Sequence, residues 1–161
     1  MVKVEYRPIG VIHSGYKQKE GVPIQGALSK NSRGTVEVFK KYQRGLKGLE
    51  GFSHVILVYH FHLAKGYTLL TKPFLDDKEY GTFACRTPRR PNPIGISIVR
   101  LERITGNVLH VNDVDIIDGT PLLDIKPYVS RFDAKAKTRD GWLKEKLKNV
   151  REHKADGRYG Q

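Results

Sequence analysis

In the stretch FACRTPRRPNPIG, residues 83–95, three arginines and three prolines crowd between Arg86 and Pro93. Pro88, Pro91 and Pro93 each lock their own φ near about −65° and push Thr87, Arg90 and Asn92 toward extended geometry. The directions of Arg86, Arg89 and Arg90 are therefore largely preset. Guanidinium groups fork onto carboxylates and phosphates, and a pre-ordered backbone reduces the entropy lost when such a ligand arrives. Gly95 comes next, a residue type that lets backbone approach a ligand closely. This density favours an anion-binding loop over a merely solubilising one.

A second constellation is DIIDGTPLLDIKPYV, residues 115–129. Asp118-Gly119 ends a strand in a turn, Pro121 restrains the next residues, and Leu122-Leu123 give an apolar wall before Asp124. The segment reads as a pocket edge whose carboxylate could balance a cationic ligand, or as an ordinary hydrogen-bonded loop. His60 and His62 fall on one strand face with His54 farther along it. A catalytic zinc wants three protein ligands, and the lone Cys85 adds no pair, so no metal site is expected. Ser14, Ser53, Ser97 and Ser130 have no G-x-S-x-G frame and there is no H-E-x-x-H, which leaves hydrolase chemistry without a sequence foothold.

The elements that must position these residues are mostly strands. Val11-Ile12 reads as an early strand feeding a long Gly- and Pro-interrupted loop. Apolar residues at 36, 39, 42 and 46 suggest a short amphipathic helix over Thr35–Leu46 capped by Thr35. SHVILVYHFHL, 53–63, is rich in β-branched and aromatic residues and predicts a strand. Its alternation puts Val55, Leu57, Tyr59 and Phe61 on one face and Ile56, Val58, His60 and His62 on the other. Residues 94–104 and 108–118 predict two more strands joined by a hairpin turn at Thr105-Gly106-Asn107. The spacing GLKGLEG after the helix matches no nucleotide-binding loop. The fold class expected is mainly β: a small single-sheet β-barrel with one helix in its N-terminal half and one near the C-terminus. Residues 1–130 form the barrel domain. Residues 131–161 form a basic helical appendage in which Trp142, Leu143, Leu147 and Val150 make a narrow apolar stripe.

Composition bounds the partners. Twenty-nine Lys and Arg against seventeen Asp and Glu give a net charge of +12, which favours nucleic acid or another polyanion. One cysteine cannot form an internal disulfide, and no apolar leader segment follows Met1, so a reducing cytoplasm is expected. The longest wholly apolar run, 55–59, is far below the ~18 residues that a membrane span needs, and no membrane partner is expected.

The segments IGVIHSGYKQKEGVPIQG, GLEGFSHVILVYHFH, FACRTPRRPNPIGISIVRL and DGTPLLDIKPY, in this order, resemble the tRNA (N6-threonylcarbamoyladenosine) methyltransferase family over about residues 6 to 129. The resemblance implies S-adenosyl-L-methionine as methyl donor, a homodimer with the donor site near the subunit interface, and methylation of the N6 nitrogen of threonylcarbamoyladenosine beside the anticodon of tRNA. It also implies donor contacts from Ser14, Gly15, Tyr16, His62, Leu63, Arg86, Ile96, Pro121, Leu122, Leu123 and Asp124. Two of these segments depart mildly from the family pattern, with Gly15 where Pro is frequent and Thr87 where Ser is frequent.

Such a reaction needs a nitrogen aligned behind the methyl carbon and somewhere for its proton to go. His62, Tyr16 and Asp124 are the candidates to receive it, and the sequence does not rank them. Arg89 and Arg90, with the basic tail, are expected to hold phosphates of the anticodon stem-loop. Bacterial members commonly carry a further C-terminal domain, for which the basic tail would stand in. The alternative reading is a module of the same barrel that binds S-adenosyl-L-methionine or RNA without turnover.

Overall fold

The computed structural model describes residues 2–17, 32–73 and 75–146. Its six principal strands are β1 (Gly10–Ser14), β2 (Arg33–Val38), β3 (His54–His60), β6 (Ile94–Thr105), β7 (Val108–Asn112) and β8 (Thr120–Pro127). They close into an antiparallel barrel in the order β1-β2-β7-β6-β3-β8. A separate two-stranded ribbon joins β4 (Leu70–Thr71) to β5 (Tyr80–Gly81). The mainly β expectation and the barrel therefore hold.

Alternation builds the core. Val36 and Val38 of β2, Val55, Leu57 and Tyr59 of β3, Val99 and Leu101 of β6, and Leu109 and Val111 of β7 all point inward and are buried. β-Branched residues at every second position suit a pleated, one-sided surface. The helix expected over Thr35–Leu46 is corrected by the same rule. TVEV alternates with period two, so Thr35 lies in β2 and caps nothing, and only Lys40–Leu46 is helical, as 3₁₀ turns. Leu46 alone of that segment is buried.

The hairpin between β6 and β7 closes on Gly106 and Asn107, with Thr105 paired to Val108. Gly106 has φ +62° at the first loop position, where a type II′ turn requires glycine. The strand expected over 108–118 ends at Asn112, because Asp113 turns with a φ of +65°. Beyond it, Val114 and Ile116 drop their side chains into the core and cover one end of the barrel.

Beyond β8 the structure describes the expected appendage only through residue 146. A four-residue helix, α1 (Ser130–Asp133), follows β8, and Gly141–Leu143 form a single 3₁₀ turn. Trp142 docks, stacked on Tyr80 at 4.7 Å between ring centroids with its Nε1–H donating to the Ala84 carbonyl at 2.9 Å. Leu147 and Val150 lie outside the described residues. No helix among the described residues is long and apolar enough to cross a membrane.

Candidate functional site

The strand registers decide which loops meet. Gly10–Ile12 pair with Thr120–Leu122, His60 with Ile94, and Arg33 with Asn112. The ends of β1, β3 and β7 and the starts of β2, β6 and β8 consequently face the same end of the barrel. That end receives Ser14–Tyr16, His62–Leu63, the arginine loop that leads into β6, and the turn that leads into β8.

Asp118 ties two of these segments together. Its carboxylate accepts from the Ser14 N–H at 3.1 Å and from the Lys17 ammonium at 2.5 Å, and His13 Nδ1 lies 3.4 Å away. The Ser14 hydroxyl donates to the Ile116 carbonyl at 2.6 Å and accepts from the Tyr16 N–H, while the Asp118 N–H donates to the Tyr16 carbonyl. The hydrogen bonds from Lys17 and Ser14 hold the Asp118 carboxyl below the usual carboxylate range. Ser14 and Tyr16 are thereby fixed, and Gly15 between them faces open space. Sequence reasoning missed Asp118 as an organiser. The Asp-Gly dipeptide signalled a turn, but nothing local signals a bond spanning more than a hundred residues.

His62 has left β3 and sits in the following turn, which corrects its assignment to a strand face with His60. Its Nδ1 lies 3.3 Å from the Thr120 hydroxyl. That hydroxyl donates its single hydrogen to the Ile117 carbonyl at 2.7 Å, so it can only accept from His62. The neutral ring therefore carries its proton on Nδ1 and presents a bare Nε2, which has no hydrogen-bond partner among the described residues. Burial, with a smaller contribution from His60, lowers the imidazole pKa and favours that neutral form. Leu63 beside it is 40% exposed.

Under this end lies a buried polar chain. Ser97 donates to the Asp115 carboxylate at 2.6 Å, which leaves the Tyr59 hydroxyl to donate to Ser97 at 3.1 Å. Burial and the nearby Asp115 raise the phenol pKa well above its ordinary value, so Tyr59 stays protonated; the Arg86 charge opposes this weakly. These bonds pin the 113–119 segment to β6, and Arg86 lies within electrostatic reach of Tyr59. Gly95 serves this packing. A Cβ there would lie 2.5 Å from Tyr59 Cζ and 2.8 Å from Phe61 Cζ, so the room it leaves is filled by rings rather than by an approaching ligand as the sequence suggested.

The arginine loop is stiffened beyond its prolines. Arg90 turns back to donate to the carbonyls of Cys85 at 3.0 Å and Thr87 at 3.3 Å, and the buried Thr87 hydroxyl accepts from the Arg89 N–H. Arg89 Nε is enclosed without a hydrogen-bond partner among the described residues. Arg86 is exposed. Trp142, bonded to Ala84, braces the residues just before the loop.

Residues 120–127 form strand rather than a loop edge. Val58 pairs with Ile96 on one side and Asp124 on the other, so the predicted Ile96 and Asp124 share one outward row. A bulge after Val58 inserts Leu123 next to them. Asp124 accepts from Lys126 at 2.8 Å and from the Ile125 N–H, yet its side chain remains 44% exposed. Pro121 is partly exposed, whereas Leu122 is fully buried and gives its carbonyl to Ile9, so its side chain belongs to the core. The structure thus gathers Ser14, Tyr16, His62 and Leu63 at the barrel end and sets Ile96, Leu123 and Asp124 on the adjoining wall. No cluster of three or more His, Cys, Asp or Glu side chains suited to a metal ion occurs among the described residues.

Residues 11–134 match the family model described as the tRNA-methyltransferase O N-terminal domain. A probable S-adenosyl-L-methionine-binding protein of Pyrococcus abyssi is 53% identical over 154 residues, covering 96% of this chain and 84% of that protein. The human tRNA (adenine(37)-N6)-methyltransferase is 35% identical over 134 residues, covering 79% of this chain but 30% of its own length. The crystal structure of TrmO from Pseudomonas aeruginosa superposes with a TM-score of 0.75 at 39% identity, covering 88% of this chain and 63% of that one.

Proposed function

The chain belongs to the tRNA-methyltransferase O family through its N-terminal domain, and we propose that it is an S-adenosyl-L-methionine-dependent enzyme that methylates the N6 nitrogen of threonylcarbamoyladenosine beside the tRNA anticodon. The observation that carries this reading is the convergence at one barrel end of Ser14, Tyr16 and His62, with Leu63, Ile96 and Asp124 adjoining. The donor set suits the molecule. Partly exposed Leu63 and Ile96 offer apolar faces to an adenine, Arg86 can fork onto a carboxylate, and Asp124 has lone pairs for a hydroxyl or an ammonium. When bound, S-adenosyl-L-methionine supplies a sulfonium methyl group whose displacement leaves a neutral thioether.

The protein's own contribution is alignment and proton removal. The acceptor is a urea-like nitrogen, a poor nucleophile until its proton leaves. Of the three candidates, Asp124 already accepts from Lys126 and Tyr16 would have to be deprotonated first. His62 favours the neutral form and holds Nε2 bare, which supports it as the acceptor. With the donor held, Nε2 of His62 would take the proton as the acceptor nitrogen gives up its N–H pair for the transfer. Arg89 and Arg90 are assigned to the RNA, Arg90 chiefly by setting the loop. The homodimer is assigned to the outer wall of β3 and β6, where Ile94, Ile96 and Ile98 lie exposed. A protein with one unpaired cysteine that acts on tRNA is placed in the cytoplasm.

The test is nucleoside mass spectrometry of tRNA incubated with the protein and isotopically labelled donor. Labelled methyl on threonylcarbamoyladenosine is the expected product. Label on another nucleoside would change the substrate, and donor binding without any labelled nucleoside would overturn the enzymatic reading.

A further inference from the structure

Around the barrel from the candidate donor residues, four strands carry one outward row of polar side chains. His13 of β1 pairs with Thr35 of β2, Thr35 with His110 of β7, and His110 with Arg103 of β6. Together with Arg33 and Ser14 these residues line an open-sided groove of about 420 Å³.

Its charges are unevenly spent. Glu102, the acid in the groove, is engaged by the Asn112 amide and by Arg100 at 3.7 Å. His13 stands between Asp118 and Glu37, at 3.4 and 3.8 Å. The Arg33 side chain, by contrast, is exposed and has no hydrogen bond or ion pair among the described residues, and Arg103 donates to His110 Nδ1 at 3.2 Å. Neither guanidinium group has an anionic partner among the described residues. One strand separates β2 from β6, so the two arginines rise from backbones about 10 Å apart across the sheet.

We infer that this groove is a track for the phosphodiester backbone of the RNA, delivering the strand to the barrel end. The inference rests on the proposed function and assigns a surface for the substrate beyond the arginine loop. Two arginines, the His110 imidazole and the Thr35 hydroxyl supply the multiple, spread donors that phosphate oxygens accept. An open side suits a passing polymer better than an enclosed metabolite. Ser14 lies both in the groove and at the candidate donor site, so a strand held by Arg33 and Arg103 leads toward the candidate donor residues. Each neutralised phosphate releases counterions, which makes the contribution readable as salt dependence.

The experiment compares Arg33→Ala/Arg103→Ala with Lys40→Ala/Lys47→Ala, which removes equal charge from the opposite end of the barrel. Binding of whole tRNA is measured across a salt series, with calorimetric titration of S-adenosyl-L-methionine and thermal melting on the same samples. The arginine variant is expected to bind tRNA about tenfold or more weakly at low salt and to lose about 1.5–2 from the salt slope. Donor affinity and melting should stay at wild-type values, and the lysine variant should match wild type throughout. Equal effects from both variants, or none from the arginine pair, would overturn the groove. So would inorganic phosphate binding that depends on Arg33 and Arg103 while tRNA affinity does not. Wild-type protein that binds tRNA through these arginines yet yields no methylated nucleoside would retain the groove and remove the methyltransferase reading.

Discussion

Since Nδ1 of His62 holds the ring proton against Thr120, protonation at Nε2 would put a charge in a partly desolvated turn next to His60. The folded pKa is therefore lowered from its ordinary value of about 6.5. Between the two values the unfolded chain binds more protons than the folded one. Stability contributed by neutral His62 is thus present above about pH 6.5 and lost as pH falls through the lowered folded value. Methyl transfer should track the same limb, holding its rate below pH 6.5 and then falling. His62→Gln is expected to slow kcat by about 10²-fold or more and to erase that acid limb. Single-turnover rates measured from pH 5 to 8 decide the matter, since an unchanged profile in the variant would remove His62 as proton acceptor. At this scale the sequence was informative where chemistry was local. The stiffness of 86–93 came directly from its prolines. The bonds of Asp118 to Ser14, of Thr120 to His62 and of Ser97 to Asp115 were not legible, because each joins residues brought together only by barrel closure.

Strands and turns determine how firmly those residues are held. Gly95 pairs with Tyr59 inside the barrel, and the Tyr59 and Phe61 rings, edge to face at 5.4 Å, occupy the space its side chain would need. Gly95→Ala must displace both rings and disturb the Tyr59–Ser97–Asp115 chain, at a cost of about 1–3 kcal/mol. For a chain of this size the melting temperature should drop by about 2–4 °C per kcal/mol, measured by calorimetry or circular dichroism. A variant melting with wild type would show that the rings have room to move. The strands of β3 and β6 were legible because β-branched residues alternate along them, and the Gly106 turn because a hairpin demands it. β2 was read as helix because Val36, Phe39, Tyr42 and Leu46 also fit a helical period, and burial of Val36 and Val38 in the closed barrel overrides that pattern. β8 was hidden by Pro121, which a strand tolerates near its start.

For the whole molecule, the barrel consumes its inward residues and leaves one outer wall unusually apolar. Ile94, Ile96 and Ile98 are 40, 58 and 46% exposed on successive outward positions of β6, with Ile56 and Val58 of β3 beside them. A chain with a net charge of +12 repels its own copies at long range, so association has to come from short-range apolar burial. In the proposed homodimer this stripe would supply it. Because Ile96 shares its cross-strand row with Asp124, burying the stripe against a second copy would also close the wall beside the candidate donor residues, coupling assembly to donor binding. Ile94→Glu/Ile98→Glu is accordingly expected to convert dimers to monomers in sedimentation velocity and to weaken donor binding in the same step. The two substitutions lie on the outer face, so the melting of the isolated barrel should change little. A variant that sediments as wild type would move the interface elsewhere. One that becomes monomeric while binding the donor with unchanged affinity would show that each subunit completes its own site.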